Sequence, residues 1–344
     1  MPDPVNRIID HIPLPNGAFS FEYFNDTLYC TGGTTRRINL HTNAVVQIGP
    51  QATFSGAIAV VDFHRPFPVP PDVLGSGTPD GRIYIATVSD SFVDAGGMVS
   101  FDDFEAAEIL PPLLDRVTQF KLSPQAASTF RPAVSAMVVS SDGKYLYYFD
   151  LTTRMLCVVD LEAGPRMLGG YQLDGWSMSM VISPDDRFIY VAHPFDNSIS
   201  VVDTTAWPSA VRKVPVANGP FGLALSADGK RLFVAQTGDS STGDPSDLGA
   251  GTLTVLSTET MERVQVLTGE RSTGVAVNSA GTRAYVTNNA TVGTVSVVDV
   301  TGTPAVIDTI TGFVNPSFLK LNADGTRLYV LDWASTPGVA VAAV

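Results

Sequence analysis

Positively charged residues and histidines are scarce in this chain. Among 344 residues there are 21 Lys and Arg against 34 Asp and Glu, a formal net charge of −13, and only four His. An acidic chain repels phosphate backbones and anionic lipid at long range, so nucleic acid is not an expected partner. Only His193 falls among the site candidates named below, which excludes a cage of several histidines around copper or iron.

Cysteine and long apolar runs are scarce as well. Cys30 and Cys157 lie in separate strand-like runs, which favours two buried free thiols over a disulfide. No window approaches the roughly 18 apolar residues of a membrane helix, and residues 1–14 lack the pattern of a leader. We therefore expect no membrane insertion and a cytoplasmic protein if Met1 is the native start; an exported mature domain is the alternative.

Turn-forming residues are abundant by contrast. The chain has 30 Gly and 24 Pro, and 44% of its residues are apolar. Such a composition predicts a folded chain with a sizeable core and many turns rather than a disordered one.

A repeat fixes the architecture. Asp-Gly turns followed by a short apolar run that contains an aromatic recur along the chain, most clearly at residues 141–147, 226–233 and 322–329. The aromatics of seven copies are Tyr29, Tyr84, Tyr147, Tyr190, Phe233, Tyr285 and Tyr329. Three of the six successive spacings are 43 or 44 residues, the length of one four-stranded antiparallel unit.

The two ends of the chain complement each other. Residues 318–321, 328–331 and 339–343 form three strand-like runs, and the chain ends before a fourth. Residues 7–12 have the pattern of the missing strand. The prediction is a single all-β domain, residues 1–344, folded as a seven-bladed β-propeller whose N-terminal strand completes the last blade and removes open sheet edges.

The residues Ala284-Tyr285-Val286-Thr287-Asn288, together with residues 294–299, resemble the repeat of the YVTN family of bacterial seven-bladed β-propellers. The resemblance is strongest over residues 130–344. Members of that family are commonly exported or lie at the cell surface, and the motif that names the family is structural. The resemblance therefore implies the fold and no particular activity.

A row of polar residues is predicted at the mouth of the propeller channel. The third residue after each repeat aromatic is Gly32, Thr87, Asp150, His193, Gln236, Asn288 and Asp332. Equivalent spacing should place them at one height, where they either bond strand ends to neighbouring backbone or hold a small ligand. The Val-Val-Asp motifs ending at Asp160, Asp203 and Asp299 are instead predicted to cap turns.

Loops that should reach the same face add aromatic and charged candidates. These are Arg131, Trp176, Phe195, Phe221, Arg271, Asn315 and Trp333. Aromatic side chains with a few charged groups suit an organic ligand, and they equally suit the anchor residues of a protein partner.

Two functional hypotheses follow. The first is a binding module for a protein or small organic ligand, with contacts from Trp176, Phe195, Phe221, Gln236, Arg271, Asn288, Asp332 and Trp333. The alternative is an enzyme without a redox cofactor, such as an isomerase, cyclase, lyase or lactonase. In that enzyme His193 or Asp150 would act as general base and Arg131 or Arg271 would stabilise developing negative charge.

Further motifs do not identify a cofactor or a familiar nucleophile. The chain has no Gly-x-Ser-x-Gly motif. No metal site is predicted, although Asp150, Asn288 and Asp332 offer oxygen ligands of the kind that Ca²⁺ or Mg²⁺ takes. The oligomeric state is left open.

Three segments interrupt the repeat. In the second blade, residues 63–80 form a proline-rich insertion, and residues 102–116 form another with a short helix at 102–110. Both should project from the opposite face, where they either cover the channel floor or offer a docking surface. The acidic loop at residues 237–251 is expected to be solvated, or to act as a flap over the mouth.

Overall fold

The computed structural model describes residues 6–14, 18, 20–24, 27–31, 36–47, 54–62, 81–88, 104–109, 117–121, 134–162, 166–206, 211–216, 219–238 and 250–344. Their regular structure is antiparallel β-sheet with one short 3₁₀ helix, Pro194–Asp196. The chain divides into two compact units. We call Phe19–Leu173 the first unit, and Met1–Ala18 with Asp174–Val344 the second unit.

The first unit contains three sheets, each of four strands in chain order. Strand β1 (Arg7–Pro13) belongs to the second unit, so numbering here starts at β2. The three sheets consist of β2 (Ser20–Phe24), β3 (Thr27–Thr31), β4 (Arg36–Asn39), β5 (Ala44–Gln47); β6 (Phe54–Asp62), β7 (Gly81–Val88), β8 (Phe104–Ile109), β9 (Val117–Lys121); and β10 (Val134–Val139), β11 (Tyr145–Asp150), β12 (Met155–Asp160), β13 (Arg166–Gln172).

The second unit contains four sheets, of which three are again built from consecutive strands. These are β14 (Met180–Ile182), β15 (Phe188–His193), β16 (Ser198–Asp203), β17 (Val211–Pro215); β18 (Pro220–Leu225), β19 (Arg231–Gln236), β20 (Ala250–Ser257), β21 (Arg263–Glu270); and β22 (Ser272–Val277), β23 (Arg283–Asn288), β24 (Gly293–Asp299), β25 (Ala305–Phe313). The fourth sheet has the order β1-β28-β27-β26, with β1 (Arg7–Pro13), β26 (Leu319–Leu321), β27 (Arg327–Asp332) and β28 (Gly338–Ala343).

The repeated turns have a clear chemical basis. Gly143, Gly229, Gly281 and Gly325 have φ between 64° and 72°, so the turn between the first and second strands of these blades uses the left-handed region that favours glycine. A serine and an aspartate of the same turn are bonded to each other, as in Ser226 Oγ to Asp228 Oδ1 at 2.6 Å.

The Val-Val-Asp aspartates cap the following turns, as predicted. Asp160, Asp203 and Asp299 each accept a backbone N–H from the residue two positions later, at 2.9, 3.0 and 2.8 Å. The same carboxylates lie near the protein surface. Their local hydrogen-bond donors lower the pKa values of Asp203 and Asp299.

The core of the second unit lies between successive sheets. One apolar cluster joins the sheet of β22–β25 to the sheet of β1 and β26–β28, with Val295, Phe313, Leu328 and Val330 at its centre. Burial of such side chains is the main stabilising term of the fold.

Glycines let neighbouring inner strands approach one another. A Cβ added at Gly222 on β18 would lie 2.5 Å from the Thr273 carbonyl oxygen on β22, and one at Gly274 would lie 2.5 Å from the Ser317 carbonyl oxygen. Real Cβ atoms do not come that close to a backbone oxygen, so both positions require glycine for this spacing.

The N-terminal strand pairs with the end of the chain. β1 runs antiparallel to β28 from Arg7 opposite Ala343 to Pro13 opposite Gly338. The predicted pairing of residues 7–12 with the final sheet is therefore confirmed.

The predicted count of seven blades is corrected. In the described residues, six blades consist of four consecutive strands, and one further sheet joins β1 to β26–β28. The predicted all-β architecture of four-stranded antiparallel blades holds. The assignment of residues 1–344 to one domain stays a prediction.

Other expectations have mixed outcomes. The short helix predicted at residues 102–110 is wrong, because Phe104–Ile109 is strand β8 and pairs with both β7 and β9. Residues 63–80 lie outside the described residues.

Both cysteines are free and buried, as predicted, and burial raises the pKa of each thiol to about 12. No described helix is long and apolar enough to cross a membrane.

Candidate functional site

The predicted polar row lies at strand ends. In the second unit His193, Gln236, Asn288 and Asp332 are the last residues of β15, β19, β23 and β27. All four are at most 5% exposed. We call the end of the second unit that carries these residues its mouth end.

The side-chain amides of Gln236 and Asn288 each make three or more hydrogen bonds. Gln236 Oε1 accepts bonds from the hydroxyls of Thr252 and Thr254 and from Gln265 Nε2. Asn288 Oδ1 accepts from Ser272 Oγ at 2.9 Å, and its Nδ2 donates to Thr294 Oγ1 and Ser296 Oγ, both at 2.9 Å. Each amide therefore joins side chains of its own blade, and the arrangement favours a structural role over ligand contact.

His193 is buried between two segments of its own blade. Its Nδ1 lies 3.2 Å from the Trp176 carbonyl oxygen and its Nε2 lies 2.8 Å from Ser200 Oγ. Since a carbonyl only accepts, Nδ1 carries the proton and Nε2 accepts from the serine hydroxyl in the neutral ring. Burial lowers the pKa of His193, against the opposing influence of Asp196.

The lowered pKa of His193 gives a testable pH dependence. The unfolded chain takes up a proton at this residue near its ordinary pKa of 6.5, whereas the folded protein keeps the ring neutral to lower pH. The contribution is therefore fully present above pH 6.5 and is lost as pH falls. We expect the unfolding free energy of the wild type to drop between about pH 7 and about pH 5 by more than that of His193→Gln.

Urea unfolding at the two pH values measures this difference. Thr291→Ala serves as the control, because Thr291 is exposed and does not titrate, so its replacement should leave the pH dependence of the wild type unchanged. Identical slopes for the wild type and His193→Gln would contradict the assignment of a buried neutral ring.

Asp332 is buried close to the N-terminal strand. Its Oδ1 accepts the Val314 N–H at 2.7 Å. Burial raises the pKa of this carboxyl, while the Val314 N–H, the charge of His11 and the Trp333 N–H lower it. The hydrogen bond from the Val314 N–H ties the connection between β25 and β26 to the end of β27.

The remaining row positions fall elsewhere. Asp150 ends β11 in the first unit, is 1% exposed, and accepts bonds from the Thr152 N–H at 3.0 Å and Thr153 Oγ1 at 2.5 Å. Thr87 lies within β7, and Gly32 lies outside the described residues. Among the residues described, no group of three or more His, Cys, Asp or Glu is arranged to hold a metal ion.

The loop candidates are more exposed than the polar row. Trp176 is 47% exposed, Phe195 75% and Trp333 36%. Arg271 and Asn315 have positive φ angles of 51° in the connections between sheets. Arg131 lies outside the described residues, Asp150 belongs to the first unit and His193 to the second, so the predicted catalytic set stays a prediction.

Phe221 lies at the mouth end of β18. Its ring centroid is 6.3 Å from that of Phe318, which precedes β26. Strand β22 lies between strands β18 and β26, so the two rings meet alongside β22. Both side chains are half-buried.

An extended segment beside His193 was missed by sequence reasoning. Along residues 174–178 Asp174, Trp176 and Met178 are exposed, and Gly175 and Ser177 between them are buried. Trp176 was a candidate, but Asp174 and Met178 were not, because no regular period of apolar residues marks a segment of five. The alternation of large and small residues along the segment was the signal that could have identified it.

Comparison with known proteins supplies the fold. The structure matches Kuenenia stuttgartiensis hydrazine synthase with a TM-score of 0.70 and 15% identity, covering 96% of each chain. It also matches the β-propeller domain of Myceliophteria thermophila Cps50 (Swd1) with a TM-score of 0.68 and 11% identity, covering 99% of this chain and 100% of that one. The chain has a β-propeller fold. No family model matches it, so the YVTN resemblance rests on its motif residues alone.

No curated protein matches the sequence of this β-propeller either. The two matched structures share the architecture at low identity, and one is named as an enzyme while the other is named as a propeller domain. Fold alone does not determine function, so the functional argument has to come from the site.

Proposed function

We propose that this β-propeller is a binding module that uses the mouth end of its second unit. The observation that carries the proposal is a set of exposed large side chains beside strand ends that are held by hydrogen bonds. Trp176, Met178 and Phe195 are all more than 40% exposed, and the Trp176 carbonyl oxygen accepts a hydrogen bond from the buried His193. Exposed aromatic residues on a rigid support are typical anchors of protein interfaces.

The support for these side chains is firm. The 3₁₀ helix that carries Phe195 ends at Asn197, whose Oδ1 accepts the Gly219 N–H at 2.7 Å. The Asn197 carbonyl oxygen accepts the Val216 N–H at 2.9 Å. Because the backbone of this loop is bonded to the neighbouring connection, little order would have to be gained on binding.

The enzyme hypothesis has less support from the same geometry. A general base must reach the proton that it removes. Both nitrogens of His193 have hydrogen-bond partners and the side chain is 1% exposed, while Asp332 is bonded to the Val314 N–H and 5% exposed. Trp176, Met178 and Phe195 carry no group that takes up a proton, so these exposed side chains suit binding better than proton transfer.

Mutation of the exposed aromatics tests the proposal. We expect wild-type protein to retain a specific partner when purified from its own host, and Trp176→Ala/Phe195→Ala to lose at least about 90% of it. Loss of interface aromatics costs about 2 kcal/mol or more each, and every 1.4 kcal/mol is about tenfold in affinity. Quantitative mass spectrometry of the purified samples measures the retained partner.

Leu267→Ala is the matched control. Leu267 is 68% exposed on the outer strand β21, so its replacement also removes an exposed apolar side chain. We expect this variant to retain the partner as the wild type does, with both variants unfolding at the wild-type temperature. Equal retention by the double variant and the control would contradict the proposal.

A further inference from the structure

The five residues Asp174, Trp176, Met178, Phe195 and Asp196 combine apolar surface with negative charge. All five are exposed. We call them the mouth patch. We propose that the mouth patch binds a positively charged peptide segment of a protein partner, an inference that rests on the proposed function and gives it a ligand class.

Two segments form the patch by packing against each other. Trp176 accepts a hydrogen bond from His193 through its carbonyl oxygen, and a Cβ added at Gly175 would lie 2.2 Å from Asp196 Oδ2 and 2.7 Å from His193 Nδ1. Glycine at position 175 therefore lets the Asp196 carboxylate lie against the backbone next to Trp176. The Asp196 carboxylate is therefore held beside the backbone of the segment that carries Asp174, Trp176 and Met178.

The charges of the patch lack a cationic partner in the described part of the chain. No ion pair joins Asp174 or Asp196 to a described lysine or arginine. Lys213 is near enough to affect His193 electrostatically, but it lies exposed on β17. With a net charge of −13 for the whole chain, the patch attracts cations and repels anionic partners.

The aromatic rings are open to a cation as well. In the described residues, guanidinium groups lie over the rings of Phe188 and Phe233, at 4.9 and 5.4 Å from the centroids. Within the same described residues, no guanidinium group lies over the rings of Trp176 or Phe195. A basic side chain placed on an indole or phenyl ring gains about 0.5–2 kcal/mol, and a carboxylate beside it adds a charge-assisted hydrogen bond.

The shape of the patch favours a peptide over a small cation. Sites for small molecules are concave and bury most of the ligand. Trp176 and Phe195 are instead 47% and 75% exposed, and Asp174, Trp176 and Met178 follow one extended segment. An extended peptide with spaced basic side chains can contact a carboxylate and a ring at the same time.

Synthetic peptides test the charge preference directly. The probes are three fluorescein-labelled decapeptides with the repeats Gly-Arg, Gly-Glu and Gly-Ser, titrated with protein and followed by fluorescence anisotropy. We expect the Gly-Arg peptide to bind and the other two to bind at least about tenfold more weakly. Affinity for the Gly-Arg peptide should fall as salt is raised, because the contacts are partly ionic.

Paired variants separate charge from apolar contact. Asp174→Asn/Asp196→Asn should weaken Gly-Arg binding about tenfold, a free-energy change of about 1.4 kcal/mol. Glu259→Gln/Glu262→Gln removes two exposed carboxylates from the turn between β20 and β21 and should leave the affinity within about twofold. Trp176→Ala/Phe195→Ala should also weaken binding.

The outcomes distinguish this inference from the proposed function. If the Gly-Glu or Gly-Ser peptide binds as tightly as Gly-Arg and depends on Trp176 and Phe195, the mouth end binds partners but the charge preference is wrong. Absence of Gly-Arg binding to the wild type, or equal losses in the two acid-to-amide variants, would overturn the inference. The host partner retained in the previous experiment would then still support a binding module.

Discussion

Deletion of residues 1–14 is expected to abolish cooperative folding of the second unit. These residues include β1, which pairs with β28 along its whole length. Ile12 and Leu14 are 2% and 0% exposed, and truncating one buried residue of this size costs about 2–5 kcal/mol. Losing both, together with one edge of a four-stranded sheet, approaches the whole stability of about 5–15 kcal/mol of a typical domain.

Urea unfolding followed by circular dichroism measures this loss. Deletion of residues 1–5 is the control, because it leaves β1 and both buried side chains in place. A peptide of residues 5–15 added to the longer deletion should restore part of the transition, since it supplies the missing strand in trans. An unfolding midpoint equal to that of the wild type would show that β1 contributes little.

The strand pairing behind this prediction could be derived from the sequence because it depends on local patterns. Asp-Gly turns mark the hairpins, and the spacing of Tyr285 and Tyr329 sets the length of one blade. The turn glycines do adopt φ values that other residues avoid. Residues 7–12 carry the same alternation as the missing strand, and β1 occupies its place.

Other features depend on contacts that the sequence does not reveal. Residues 102–110 have a helical pattern, yet Phe104–Ile109 forms a strand because β7 and β9 supply hydrogen bonds on both sides. The spacing also placed Asn288 and Gln236 correctly at strand ends. Their role was left open, since their hydroxyl partners lie on other strands and serine and threonine are common in loops as well.

The hydrogen-bond network of Asn288 gives the second large effect. The amide is 2% exposed and bonds to Ser272, Thr294 and Ser296. Asn288→Ala removes the shared partner and leaves these hydroxyls to find others in a buried site. Each unsatisfied buried polar group costs about 1–3 kcal/mol, so we expect the unfolding free energy to fall by about 2–4 kcal/mol.

The close packing of Gly269 on Asn288 explains why the neighbouring residues would not easily rearrange after the amide is removed. A Cβ added at Gly269 would lie 2.6 Å from both Cγ and Nδ2 of Asn288, so the end of β21 packs directly on the amide. Removing the amide opens a small space between two blades, and a cavity adds to the cost of the lost bonds.

Guanidinium unfolding of Asn288→Ala measures the cost, with Thr291→Ala as the control. Thr291 is exposed in the loop that follows β23, and its replacement should change the free energy by no more than about 0.5 kcal/mol. Gln236→Ala should behave as Asn288→Ala does, because Gln236 accepts three bonds in the neighbouring blade. If both amide variants matched the control, the row would not stabilise the strand ends, and its side chains would again be candidates for ligand contact.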